Sequence, residues 1–201
     1  MNHTRVRTIL VAAPAAALLA LAGACGDTEQ GSAERAVGIE EPAADTEAEP
    51  VEEEPAEDEQ PATELAVGDG FLYDDGVKFT VTKIEEVGTD QYGEYDDKPA
   101  AGETGFRVHW DIANGSKKPH DLDMWGISAQ GATTGGETTY LTVEHGTRAM
   151  AGRLAPGRTG SYTGEYLLPK SDGREIVFTA TRMDDEADVL AEDPNWTGTI
   201  K

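Results

Sequence analysis

Residues from Leu65 onward predict an all-β domain built mainly from antiparallel strands, and three observations carry that expectation. Apolar and polar residues alternate through several short runs, turn-forming residues separate the runs, and no segment from 65 to 183 sustains a helical period. One buried face per strand implies two sheets packed face to face, so the expected architecture is an immunoglobulin-like antiparallel β-sandwich. A small closed barrel is the competing arrangement, since strand number and alternation do not separate the two. The Cys-Trp-Cys signature of antibody domains is absent.

The chain begins with a short cationic head containing Arg5 and Arg7. An uncharged apolar stretch follows from Ile9 to Ala20 and ends in small residues at Ala22-Gly23-Ala24. That is the layout of a secretory signal peptide. A spanning helix needs roughly 20 apolar residues, and this stretch is shorter and carries Pro14. Ala22-Gly23-Ala24 also suits ordinary signal peptidase, but Leu21-Ala22-Gly23-Ala24-Cys25 resembles a bacterial lipobox, and Cys25 is the only cysteine. A free thiol at the mature terminus of an exported protein would be open to oxidation, so its placement favours a modification site. The expectation is a signal peptide over 1–24 and lipidation of Cys25. A diacylglycerol thioether supplies at least two acyl chains, enough for firm attachment at the extracytoplasmic face of the cell membrane. No disulfide can form within such a chain, and the fold must rest on its core.

Residues 25–64 follow as an expected tether. Positions 26–64 hold fifteen acidic residues and one base, Arg35, giving −14 of the total charge of −23. Like charges repel and too few apolar groups are present to offset ordering entropy, so disorder is expected. Its reach would be on the order of 130 Å at about 3.3–3.6 Å per residue. The acidic balance disfavours nucleic acid as a partner, since phosphates are repelled. Partners expected instead are the membrane, through Cys25, and an envelope protein or cell-wall component.

The domain expected over 65–201 comprises 137 residues, an ordinary single-domain size. Val77, Phe79 and Val81 alternate with Lys78, Thr80 and Thr82. Phe106, Val108, Trp110 and Ile112 alternate with Arg107, His109 and Asp111, the clearest period of two in the chain. Further strands are predicted over 122–129, 138–144, 161–168 and 175–182. Between the runs lie Asp74-Asp75-Gly76, Asn114-Gly115-Ser116, Gly135-Gly136, Pro156-Gly157 and Ser171-Asp172-Gly173. At Asn114-Gly115 a positive φ is cheap, Pro156-Gly157 suits a tight turn, and Pro169 ends a strand by removing a donor. The acidic stretch 183–192 has the length of a short helix.

The order Val67-Gly68-Asp69, Asp75-Gly76-Val77-Lys78-Phe79-Thr80-Val81-Thr82-Lys83, Phe106 to Asn114, Leu154-Ala155-Pro156-Gly157, Gly160-Ser161-Tyr162 and Leu168-Pro169-Lys170 resembles an uncharacterised bacterial lipoprotein family. These are immunoglobulin-like extracellular domains grouped as domain of unknown function 4352. The resemblance spans roughly 65–182 and implies a β-sandwich and export. It implies no reaction.

The side chains that carry chemistry are sparse. No nucleophile elbow surrounds any serine, so the chain is not expected to be an enzyme, and no cofactor is expected. His120, Asp121 and Asp123 offer three potential metal ligands, and Asp184-Asp185-Glu186 with Asp188 offers a carboxylate cluster, but neither matches an established spacing. Polar loops on an acidic protein account for both. Trp110 lies on the buried parity of its strand, with Tyr162 and Tyr166 sharing one face of theirs. Tyr92, Tyr95, Trp125 and Trp196 lie near Gly-rich or acidic segments, where a recognition surface competes with ordinary burial. The long connection 88–105, with Tyr92 and Tyr95, joins Trp125 as the first candidate contact surface. The sequence thus predicts a surface-presented binding module, with a metal-binding lipoprotein as the alternative and a hydrolase third.

Overall fold

The computed structural model describes residues 31–36, 63–184 and 191–201. The expected signal peptide, Cys25, most of the acidic stretch and the carboxylates of Asp185, Glu186 and Asp188 lie outside these residues. The described residues form twelve strands: β1 (Gly31–Glu34), β2 (Glu64–Ala66), β3 (Gly70–Tyr73), β4 (Val77–Glu86), β5 (Glu103–Asn114), β6 (His120–Asp121), β7 (Trp125–Gly131), β8 (Thr139–Tyr140), β9 (Arg153–Leu154), β10 (Thr159–Pro169), β11 (Glu175–Arg182) and β12 (Asn195–Thr199). Three single-turn 3-10 segments accompany them, and no α-helix occurs among the described residues.

The protein is all-β. One sheet runs β1-β3-β4-β5-β10-β8, a second runs β2-β12-β11-β7, and β6 pairs with β9 in a small ribbon. Every pairing is antiparallel except β2 with β12. Both large sheets end in edge strands, so the architecture is a sandwich and not a closed barrel.

The inward residues of β4, β5, β11 and β12 form one continuous core. Phe79 stands at its centre, with ring centroids of Trp125, Trp196, Trp110 and Phe178 at 5.1, 5.2, 6.2 and 6.3 Å. Each such fully buried side chain contributes about 1.5–3 kcal/mol relative to exposure. The alternation of β4 is broken once, where the register with β5 shifts between Val81 and Lys83. This bulge turns Lys83 outward and brings Ile84 into the core, which a strict period of two would not do.

The outer face of β5 is not all solvated. The segments 87–96 and 141–148 fold across it, burying Val87, Leu141 and Val143 against Tyr92 and Leu167. Beneath them Arg107, on the polar parity of its strand, pairs with Glu165 at 2.6 Å, both side chains being 4% exposed. The loop is pinned from within, since Asp96 Oδ2 accepts the backbone N–H groups of Gly93 and Glu144 at 2.7 and 2.6 Å. Those two bonds hold the Asp96 carboxyl below its ordinary range.

Several expectations need correction. The stretch expected as a disordered tether contains β1, which pairs with β3 over Gly31–Glu34. The strand forms because Gly31 has no side chain to strike Leu72 and Phe71, and because Ala33 packs on the core. The strand predicted over 138–144 shrinks to Thr139–Tyr140. Side chains of this segment cap the edge of β7, Thr138 Oγ1 donating to Ala129 O at 2.8 Å and Tyr140 Oη to Ile127 O at 2.9 Å. Most of the stretch proposed as a short helix lies outside the described residues, and its start, Met183 and Asp184, is not helical.

Candidate functional site

Three turns converge at one end of the sandwich. The β3–β4 turn carries Asp74-Asp75-Gly76, the segment after β5 carries Gly115 to Pro119, and β11 ends at Arg182 with Asp184 two residues beyond it. The first two meet backbone to backbone. Gly115 N–H donates to Gly76 O at 3.0 Å, and a Cβ on Gly115 would lie 2.5 Å from that oxygen. Close approach, not a positive φ, is what Gly115 supplies; the positive φ falls on Gly76, at 89°. Asn114 orders the second turn by donating through Nδ2 to Lys118 O and Leu154 O, both at 2.8 Å, while its Oδ1 accepts from Ser116 N and Oγ.

Between these turns opens a cleft of about 470 Å³, lined by Asp75, Gly115 to Asp121, Arg182 and Asp184. An ionic network forms its base. Arg182, with a side chain only 2% exposed, bonds Asp75 in bidentate fashion at 3.0 and 2.8 Å, and reaches Asp184 Oδ2 through Nε and Nη2 at 2.9 and 2.8 Å. The guanidinium also lies over the Tyr73 ring, 5.2 Å from its centroid. Burial raises the Asp75 carboxyl, but the Arg182 bonds and the Val77 N–H outweigh it, and the group sits below its ordinary range. Burial likewise opposes the Arg182 charge, and the two carboxylates reverse that effect. The Tyr73 hydroxyl, buried beside them, is pushed upward by desolvation.

His120 forms one wall. The indole of Trp125 can only donate, and its Nε1–H reaches His120 Nε2 at 2.7 Å. That acceptance places the imidazole proton on Nδ1, which faces Asp184 Oδ2 at 3.7 Å. Burial, seconded by the Arg182 charge, lowers the His120 pKa, against opposing pulls from Asp184, Asp75 and Asp121. Protonation would set two N–H donors against each other. An unfolded chain takes up this proton near pH 6.5. The folded domain takes it up only lower, so stability is expected to fall as pH drops below about 6.5 and to level off beneath the folded pKa. Urea unfolding at several pH values checks this. His120→Gln, which keeps an acceptor for Trp125, is expected to flatten the slope; an unchanged slope would assign it to other groups.

The sequence-predicted metal ligands do not converge. His120 spends its Nε2 lone pair on Trp125, Asp121 pairs with Arg153 at 3.3 Å, and Asp123 Oδ1 accepts Gly152 N–H at 3.1 Å. No group of three or more His, Cys, Asp or Glu side chains is arranged to hold an ion among the described residues. The proposed contact surface is likewise dispersed. Trp125 is buried, because the 3-10 turn Leu122–Met124 delivers it inward, and Trp196 is buried as well. Tyr92 is half-buried against the loop core, and Tyr95 alone is fully presented, at 92% exposure. Trp110, Tyr162 and Tyr166 pack on the core as their parity implies. Arg182 is the residue that sequence reasoning passed over.

No family model matches the chain, and no curated protein matches it. Solved structures do. A candidate lipoprotein, ycdA, of Bacillus subtilis strain 168 aligns with a TM-score of 0.47 and 10% identity over 62% of this chain and 37% of its own. An uncharacterised β-sandwich protein of Clostridium difficile 630 aligns with a TM-score of 0.44 and 17% identity over 72% of this chain and 99% of its own. A conserved hypothetical protein of Bacillus anthracis gives a TM-score of 0.41 and 15% identity over 59% and 93%. The chain thus spans little more than a third of the length of the first. The resemblance to domain of unknown function 4352 has no matching family model behind it.

Proposed function

We propose that the protein is an exported, lipid-anchored binding module, held at the extracytoplasmic face of the membrane through Cys25, with the end cleft as its binding surface. The observation that carries the binding reading is the cleft itself: an open concavity whose base is a dry Arg182 bridged by two carboxylates. Burying ionisable groups is costly unless each is paired, and such networks concentrate at functional sites. The lining holds Lys117, Lys118 and Arg182 against Asp75, Asp121 and Asp184, with His120 neutral at pH 7. A wall of balanced charge on a chain of −23 suits a polar ligand of no net charge, such as a peptide segment or a saccharide. The anchor reading is supported by Leu21 to Cys25 and by the single cysteine. No reaction is proposed.

Two measurements test the halves separately. Intact mass and detergent partitioning of native protein are expected to show a diacylglyceryl-modified terminus that Cys25→Ala lacks; an unmodified native terminus removes the anchor. Ligand-observed NMR against zwitterionic di- and tripeptides and neutral oligosaccharides is expected to yield hits lost in Ser116→Trp and Lys117→Glu. Both are rim positions, and folding should persist. Hits that survive both substitutions would place binding elsewhere.

A further inference from the structure

The segment that opens the described chain bears on how the domain is carried. Strand β1 adds to the edge of β3 with Gly31 opposite Tyr73 and Glu34 opposite Gly70. Glu34 pairs with Lys78 of β4. Gly31 enters so closely that a Cβ would lie 2.3 Å from Leu72 O and 2.5 Å from the Phe71 ring. Two residues beyond the strand, Ala36 N–H donates to Asp69 Oδ1 at 2.7 Å. The other oxygen of the same carboxylate accepts Ala66 N–H at 3.0 Å. One buried side chain therefore holds the chain where it departs towards residue 37 and just after it returns at residue 63. Asp69 is itself fixed from behind, its carbonyl accepting Trp196 Nε1–H at 2.9 Å.

The direction of β1 matters as much as its presence. Gly31 lies beside Tyr73, whose ring carries the Arg182 guanidinium at the base of the cleft, and the strand then runs away from that end. The chain thus enters the domain at the cleft end. Cys25 precedes Gly31 by six residues, a reach of at most about 22 Å at roughly 3.6 Å per residue.

We infer that the path from the anchor enters the folded domain at Gly31 and not at residue 64, since residues 31–36 dock as a strand and Asp69 holds both Ala36 and Ala66, and that the domain therefore sits close to its anchor with the cleft end turned to the bilayer surface. The second half rests on lipidation of Cys25; the first does not. An acidic spacer of 26–64 would permit a stand-off on the order of 130 Å, whereas this arrangement caps it near 22 Å. The far end of the sandwich, around Thr133, lies further out by about the length of β5, on the order of 35–40 Å at roughly 3.3 Å per residue.

The strand half is tested in the full chain with Cys25→Ser, adding Ser32→Cys and Leu72→Cys, which face each other across β1 and β3. Mild oxidation is expected to close one intrachain disulfide. Ser32→Cys with Thr133→Cys is expected to close none, and adding Gly31→Val or Asp69→Ala to the first pair is expected to slow closure severalfold. Failure of the first pair to close, or equal closure in the Thr133 pair, overturns the docked strand. The membrane half is tested in proteoliposomes of the lipidated chain, whose own thiol is blocked, with a dye on Lys117→Cys or Thr133→Cys and an acceptor on the lipid. Stronger transfer from position 117 is expected, and it should persist when 37–62 is replaced by about six Gly and Ser residues. Equal transfer from both positions, or a domain drawn closer by that deletion, overturns the orientation. An unlipidated terminus would remove the anchor and this half together, while the disulfide result would still decide the strand.

Discussion

Replacing Arg182 by methionine is expected to destabilise the domain by about 3 kcal/mol, the lower end of the range for removing one partner of a buried ion pair. The side chain is enclosed, and its loss leaves Asp75 and Asp184 facing each other at the base of the cleft with nothing between them. The two carboxylates are 26% and 17% exposed, so some water can reach them, which argues for the lower end. Lysine at this position keeps the charge but cannot serve both acids with a planar fork, and an intermediate loss of about 1–2 kcal/mol is expected. The pH dependence identifies the cause. Asp75 is held below its ordinary range by Arg182, so the wild-type advantage is present above pH 4 and is lost as pH falls through the folded pKa. The difference between wild type and Arg182→Met should therefore shrink in acid. Urea unfolding followed from pH 7 down to about pH 2 reads this directly, and a penalty that does not change over that range would show that packing over Tyr73, not charge, is what the arginine supplies.

What the sequence made legible follows the physics of alternation. The faces of β4, β5 and β11 were readable because an apolar residue every second position has one meaning on a two-sided sheet. The turns were readable because Gly and Asp mark them chemically. What escaped depends on contacts between segments distant in the chain. Strand β1 has no apolar run of its own; it is held by the fit of Gly31 against Phe71 and Leu72 and, just past its end, by the bond from Ala36 N–H to Asp69, partners more than thirty residues away. Trp125 sits between a polar turn and a Gly-containing strand, and nothing local shows that the 3-10 turn aims it inward. Arg182 did leave a trace. It shares parity with Ile176, Phe178 and Ala180, all buried, so an arginine on that face required an acidic partner, and Asp75 is 107 residues away. His120, Asp121 and Asp123 looked like a ligand set because proximity in sequence was mistaken for convergence. Two-residue β6 sends neighbouring side chains to opposite sides, so His120 turns in towards Trp125 while Asp121 pairs with Arg153.

Glu165→Leu is expected to cost more, about 4–5 kcal/mol, at the upper end of the same range. Here both partners are almost fully enclosed, and Glu165 Oε1 accepts from Arg107 Nε at 2.6 Å and from Thr163 Oγ1 at 3.0 Å. Arg107 also donates through Nη1 to Gln91 Oε1 at 2.6 Å and through Nη2 to His145 O at 2.7 Å, so one guanidinium joins β5 to β10 and to both segments that cross the sheet. Removing the carboxylate strands a cation in a dry site, and deprotonation cannot relieve it, since arginine keeps its proton and its charge. Removing both partners is a different case. Arg107→Met with Glu165→Leu buries no charge, and Met can follow the volume of the arginine stem, so the double variant is expected to lose no more than about 2 kcal/mol. The residual loss should appear as faster hydrogen exchange in residues 88–96 and 141–148, which lose their tie to β5. If the double variant is as unstable as Glu165→Leu alone, removing the stranded cation recovers nothing, and the uncompensated charge is not what makes the single variant costly.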